Sequence, residues 1–369
     1  MFFCYHDHQA RGSKMKIVVA IDSFKGSASS KALNEASLKA IKKVMPSAWV
    51  ETFTIADGGE GTLDAFSEHL DGQLVSVETV DLIGQEIKAD YLLADKLAVI
   101  ESAKIIGLDK ITPSPETFVK ASSYGLGALV KDAVARGCTE IFIGLGGTGT
   151  SDGGFGFLKS LGFNPDTCQL ESDLDFSQLT LVGLADVSNP YYGPNGFAPT
   201  FGLQKGGNQE EIAAMDNIAC AFANRIKEQR GLDLQSIAGA GAAGGLGAAI
   251  AVLGGEIKPG FETIARMIRL EESINRTDLV ITGEGNLDAQ SQAGKVPVAI
   301  SRLAKKFNKP TIAICGAIED SPELDQLFTA TFPIQREFLD LRKAKFKEKT
   351  LSNLERTMTN IMKARYWRE

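Results

Sequence analysis

Five short stretches are glycine-rich loops, four of them with aspartate, glutamate or lysine beside a glycine: "IDSFKGS" (Ile21–Ser27), "ADGGEGT" (Ala56–Thr62), "GLGGTGTSDGG" (Gly144–Gly154) and "TGEGNLDAQSQAGK" (Thr282–Lys295), with "GAGAAGG" (Gly239–Gly245) the uncharged fifth. Glycine lets backbone N–H groups approach an anion closely, and a helix starting just after the loop adds its dipole. Lysine supplies charge to a phosphate or carboxylate. Acidic residues beside a phosphate site serve through a divalent metal or as proton acceptors. One such loop is usually a structural turn. Five of one style point to an enzyme that handles nucleotide phosphates.

Two further stretches carry candidate groups. In "GLADVSNPYYGPNG" (Gly183–Gly196) an apolar run ends at Asp186. An ionised carboxylate at a strand end can accept a hydroxyl proton, or can simply cap a turn. In "FGLQKGG" (Phe201–Gly207), Lys205 sits in a glycine turn and reads, on spacing alone, as an exposed lysine.

Familiar alternatives fail on detail. "GLGGTG" and "GAGAAG" both match G-x-G-x-x-G, but glycines replace the helix start of the first, and no convincing strand precedes the second. Neither is followed by a clean acidic residue ~20 positions on, so dinucleotide binding is disfavoured. "AGKV" (Ala293–Val296) lacks the first glycine and the hydroxyl of a P-loop. Phosphoryl transfer here needs another scaffold.

The elements around these loops follow a regular grammar. "KIVVAID" predicts a buried strand, "SSKALNEASLKAIKKVMP" a helix with one apolar face, "VETFTIA" a second strand and "TLDAFSEHL" a second helix. Near the other end, "TDLVITG", "KPTIAICG" and "LFTATFPI" predict strands, "KVPVAISRLAKKF" a helix, and residues 353–364 a closing helix. This is βα alternation and implies a parallel sheet covered on both faces. The middle differs: "TVDLIGQEIKADYLLADKLAVIES" alternates like antiparallel hairpins. The fold class is therefore α/β: a discontinuous Rossmann-like doubly wound domain, 15–66 and 277–369, with an inserted mixed α/β domain, 67–276. Loops after Ile21, Ile55, Ile281 and Ile314 should face one crevice at the strands' carboxyl ends.

Composition removes other classes. The net charge of −7 gives no overall signal for nucleic acid. The five scattered cysteines form no C-x-x-C and read as reduced, buried thiols of a cytoplasmic protein. With only His69 in the body of the chain, a histidine-ligated zinc site is disfavoured. Cys4, His6 and His8 fall in residues 1–14, read as a flexible leader. The uncharged run Ala238–Gly255 is too rich in glycine and alanine for a membrane span and reads as a loop feeding a buried helix from Leu246 to Leu253.

In this order, "DSFKGS", "ADGGEGT", "GLGGTGTSDGG", "ADVSNP", "FGLQKG", "GAGAAGGLGAA" and "TGEGNLDAQSQAGKVP" resemble the bacterial glycerate kinase family. The resemblance covers Met15 to about Gly316; Leu203 replaces the usual proline of the fifth motif, and residues 317–369 diverge most. It implies two domains, an active site in the cleft between them, and phosphorylation of glycerate by ATP, typically to 2-phosphoglycerate. On that basis Gly146, Gly147, Asp152, Gly153, Gly241 and Gly244 are expected to hold the nucleotide. Glycerate is expected near Lys25, Asp57, Gly58, Gly59, Glu60, Gly61, Thr62, Glu284 and Asp288. Asp186 is expected to orient the hydroxyl as base, with Lys25 or Lys295 neutralising charge. Asp57, Asp152 or Asp288 is left for Mg2+ or its waters. The alternatives are a kinase for another short hydroxy acid and a non-catalytic nucleotide-binding regulatory protein. The expected partner is a small molecule, not nucleic acid or membrane; a homo-oligomer is left open.

Overall fold

The computed structural model describes residues 14–172, 174–288, 295–319, 321–337 and 339–365. The leader's Cys4, His6 and His8, and the 289–294 part of the last glycine loop, lie outside the described residues. Two compact units form, one from the described parts of Met1–Thr54 and Arg269–Glu369, the other from Ile55–Ile268.

The first unit is built on a five-stranded parallel sheet. From one edge the strands are Trp49–Thr52, Lys16–Ile21, Leu279–Gly283, Thr311–Cys315 and Ala330–Pro333. The three central strands are nearly continuous apolar, β-branched runs because both their faces are covered. The helix Ser30–Val44 begins at Ser29, whose side chain accepts from the Ala32 N–H, and carries Lys42 and Lys43 in its last turn. Its buried face (Leu33, Ala36, Ala40 and Ile41) shares a core with Leu354, Met358 and Met362 of the helix Lys347–Arg365. That helix starts earlier than the sequence suggested. By order in the chain the strands run 2-1-3-4-5, so connections leave in opposite directions from Lys16–Ile21 and Leu279–Gly283. Such a switch point leaves a crevice outside the strands' carboxyl ends.

The second unit has a six-stranded mixed sheet. Gln73–Val80, Glu86–Ala94 and Leu97–Glu101 pair antiparallel, as the alternation predicts. Glu140–Gly144, Thr180–Leu184 and Glu256–Lys258 then extend the sheet in parallel from Leu97–Glu101. In the glycine-alanine run, Ala243, Gly244 and Gly245 are left-handed, and regular helix follows from Leu246.

Residues 55–66 differ from expectation. They cluster with the second unit, so the loop after Ile55 joins a different sheet from the loops after Ile21, Ile281 and Ile314. The physical reason is backbone packing. A Cβ on Gly58 would lie 2.5 Å from the Leu184 carbonyl oxygen, and one on Gly146 would lie 2.6 Å from the Gly59 Cα. Only glycine permits this approach, and Gly58 also has φ +91°.

Candidate functional site

The predicted residues fall into three groups, each inside one unit. In the first unit, Lys25 sits exposed in a tight turn closed by the Phe24 N–H donating to the Ala28 carbonyl, with Gly26 left-handed. Gly285 packs against the Phe24–Lys25 backbone, so the loop after Leu279–Gly283 lies beside this turn. Glu284 is buried there. Lys295 Nζ lies 3.2 Å from Asp288 Oδ1 and 3.8 Å from Glu284 Oε2, and Asn286 donates to Asp288 Oδ2. The switch point thus carries Lys25, Lys295, Glu284 and Asp288 together.

The second group lies where Thr180–Leu184 ends. Asp186 Oδ1 accepts from the Gly260 N–H at 2.6 Å, and Oδ2 accepts weakly from the Phe261 N–H at 3.4 Å. Gly260 starts the helix Gly260–Met267 and packs on the Asp57 carbonyl, where a Cβ would lie 2.0 Å from the oxygen. Asp57 Oδ1 accepts from the Gly59 N–H, and the Gly146 N–H donates to the Gly58 carbonyl. Asp57, Gly58, Gly59, Gly146 and Asp186 are therefore one cluster. Burial first, and the Asp57 charge second, hold the Asp186 carboxyl up at about 6, against the downward pull of its two N–H partners. The residue as a whole is exposed, so solvent moderates the size of that shift. Thr62 Oγ1 donates to the Gly59 carbonyl and closes the turn, while Glu60 is exposed.

The third group joins the two glycine loops of the second unit. The Gly153 N–H donates to the Gly244 carbonyl, and the Gly241 N–H donates to the Asn189 carbonyl. A Cβ on Gly244 would lie 2.0 Å from the Thr150 oxygen. Gly147 is exposed at φ +79°. Asp152 is enclosed: its two oxygens accept from the Ser122 hydroxyl, the Ser123 N–H and hydroxyl, and the Gly154 and Gly156 N–H groups. Those bonds are the signature of a carboxylate that holds a turn.

The sequence reading missed one residue near these loops and misplaced another. Glu101 ends Leu97–Glu101, is 2% exposed, and accepts from the Leu63 N–H at the start of the helix Thr62–His69. Burial pushes its carboxyl up. Its signal was available: like Asp186, it is an acid closing an apolar run. Lys205 is the other, and it is buried rather than exposed.

Two of the three aspartates expected to serve Mg2+, Asp152 and Asp288, do not fit a resident metal. Asp152 is occupied by protein donors, and Asp288 is shared by Lys295 and Asn286. Among the described residues no three His, Cys, Asp or Glu side chains are grouped to hold a metal ion. Nor is any described helix long and apolar enough to cross a membrane. Cys138, Cys168, Cys220 and Cys315 are free thiols; all but Cys220 are buried.

Comparison with known proteins gives one answer. A family model described as the glycerate kinase family matches residues 17–366. The glycerate 2-kinase of Escherichia coli K12 is 37% identical over 328 residues, covering 83% of this chain and 86% of that protein. A glycerate kinase of Halalkalibacterium halodurans is 33% identical, covering 95% and 98% respectively. A crystal structure from Salmonella typhimurium LT2, described as glycerate kinase 2, matches with a TM-score of 0.79 at 32% identity, over 95% of this chain and 98% of that one.

Proposed function

The chain belongs to the glycerate kinase family, and we propose that it transfers the terminal phosphoryl group of ATP in line to the 2-hydroxyl of glycerate. The observation that carries this reading is the setting of Asp186. Its carboxylate is fixed by the Gly260 and Phe261 N–H groups and raised towards neutrality by burial and by Asp57. A base poised near the working pH is what removal of a hydroxyl proton needs. Asp186 orients the acceptor hydroxyl and takes its proton as the new O–P bond forms and the bond to the ADP oxygen breaks.

Phosphoryl transfer otherwise depends on positioning and charge neutralisation. Lys25 neutralises the glycerate carboxylate or the moving phosphoryl group. Lys295 is held by Asp288 and Glu284 at a defined place, which favours an orienting role. The exposed Gly147 backbone and the Gly241–Gly244 loop receive the nucleotide phosphates. Asp152 keeps the Gly144–Gly154 loop in shape. Mg2+ would come as part of the Mg-ATP substrate and would supply charge neutralisation at the phosphates. The test is ADP release by purified protein with Mg-ATP. Release that depends on glycerate supports the reading; ATP turnover indifferent to glycerate would sink it.

A further inference from the structure

The motif "FGLQKGG" has no part in the site so far, yet its lysine is the most unusual cation among the described residues. Lys205 is 4% exposed. It ends a short turn, Leu203–Lys205, closed by left-handed Gly206. A Cβ on Gly206 would lie 2.2 Å from the Ser114 nitrogen, and one on Gly207 would press on the Phe118 ring. The turn is wedged against Ser114–Phe118, and its lysine runs inward.

There the ammonium donates to the Thr150 carbonyl at 2.6 Å. An ammonium has three donors, and this carbonyl is its one acceptor among the described residues. Burial lowers its pKa to about 8, opposed by the charge of Asp152. Beside that carbonyl, a second and independent anomaly appears. Thr150 Oγ1 and Ser151 Oγ are buried with no hydrogen-bond partner among the described residues. Unpaired buried hydroxyls are costly and rare in native proteins. The Gly144–Gly154 loop has no basic residue of its own.

We propose that Lys205, Thr150 and Ser151 form the floor of the donor-phosphate site. Lys205 is a positioning residue: it fixes the Thr150 carbonyl and puts positive charge under the loop's amides. The two hydroxyls find their partners when polyphosphate binds, directly or through one ordered water. This rests on the reading of the Gly146–Gly154 loop as the nucleotide side.

The test uses the full chain, with ATP and inorganic tripolyphosphate as probes in titration calorimetry and steady-state kinetics. In Lys205→Met the KM for ATP and the Kd for tripolyphosphate should rise about tenfold or more, the size of a lost charged hydrogen bond. The KM for glycerate should not move, and Lys205→Arg should recover much of the loss. Thr150→Val should melt higher than wild type, since an unpaired hydroxyl is gone, yet bind tripolyphosphate more weakly. It carries the test alone if Lys205→Met does not fold. Unchanged tripolyphosphate affinity in either folded variant overturns the proposal, as does an equal rise in both KM values in Lys205→Met. Failure of wild type to bind ATP would instead remove the underlying reading.

Discussion

In the proposed reaction Asp186 is the residue on which the chemistry turns. Asp186→Asn removes the proton acceptor but keeps one oxygen for the Gly260 N–H, so kcat should fall by ~100-fold or more. The wild-type profile of kcat/KM should lose activity as pH falls through about 6, where the carboxyl takes up a proton. The variant should lack that limb. Stability should change in the opposite sense. A carboxyl raised in the folded state favours folding most at low pH, and that advantage is lost as pH rises through about 6. At pH 8 Asp186→Asn should therefore melt at or above the wild-type temperature; a lower melting point would mean that the carboxylate is chiefly a structural brace. Lys295→Ala removes the cation shared by Asp288 and Glu284. It should raise the KM for glycerate by ~10-fold, and unchanged kinetics would take Lys295 out of the site. Asp186 was legible in the sequence as a candidate, an acid closing an apolar run, which can accept a proton or cap a turn. Lys205 was not: its burial is imposed by Ser114 and Phe118, which are remote in the chain.

At the scale of elements, apolar runs and helix faces were sufficient to place the parallel strands, the antiparallel hairpins and most helices. What they could not show is which sheet a loop joins. The strand Trp49–Thr52 pairs in the first unit, and a few residues later Gly58 and Gly59 pack on Leu184 and Gly146 in the second. That allegiance rests on backbone proximity, which leaves no mark on hydrophobic periodicity. It does leave a requirement for glycine. Gly58→Ala would force a left-handed alanine and a Cβ 2.5 Å from the Leu184 oxygen. The left-handed term alone costs ~1–2 kcal/mol, so the melting temperature should drop by at least ~2 °C. Because Asp57 is next in the chain, kcat should fall too. A variant as stable and active as wild type would show that the approach is not required.

On the scale of the whole molecule, the proposed chemistry is divided between residues of two units with different sheets. The first offers a switch point lined by Lys25, Glu284, Asp288 and Lys295. The second offers a carboxylate pair and two interlocked glycine loops. Family membership fixes the substrate class; the hydroxyl that receives the phosphoryl group is the sharper claim. It is tested by incubating the protein with glycerate and Mg-ATP and coupling to enolase without a phosphoglycerate mutase. The account predicts phosphoenolpyruvate under those conditions, because enolase acts on the 2-phosphate directly. Phosphoenolpyruvate that appears only after the mutase is added would contradict it.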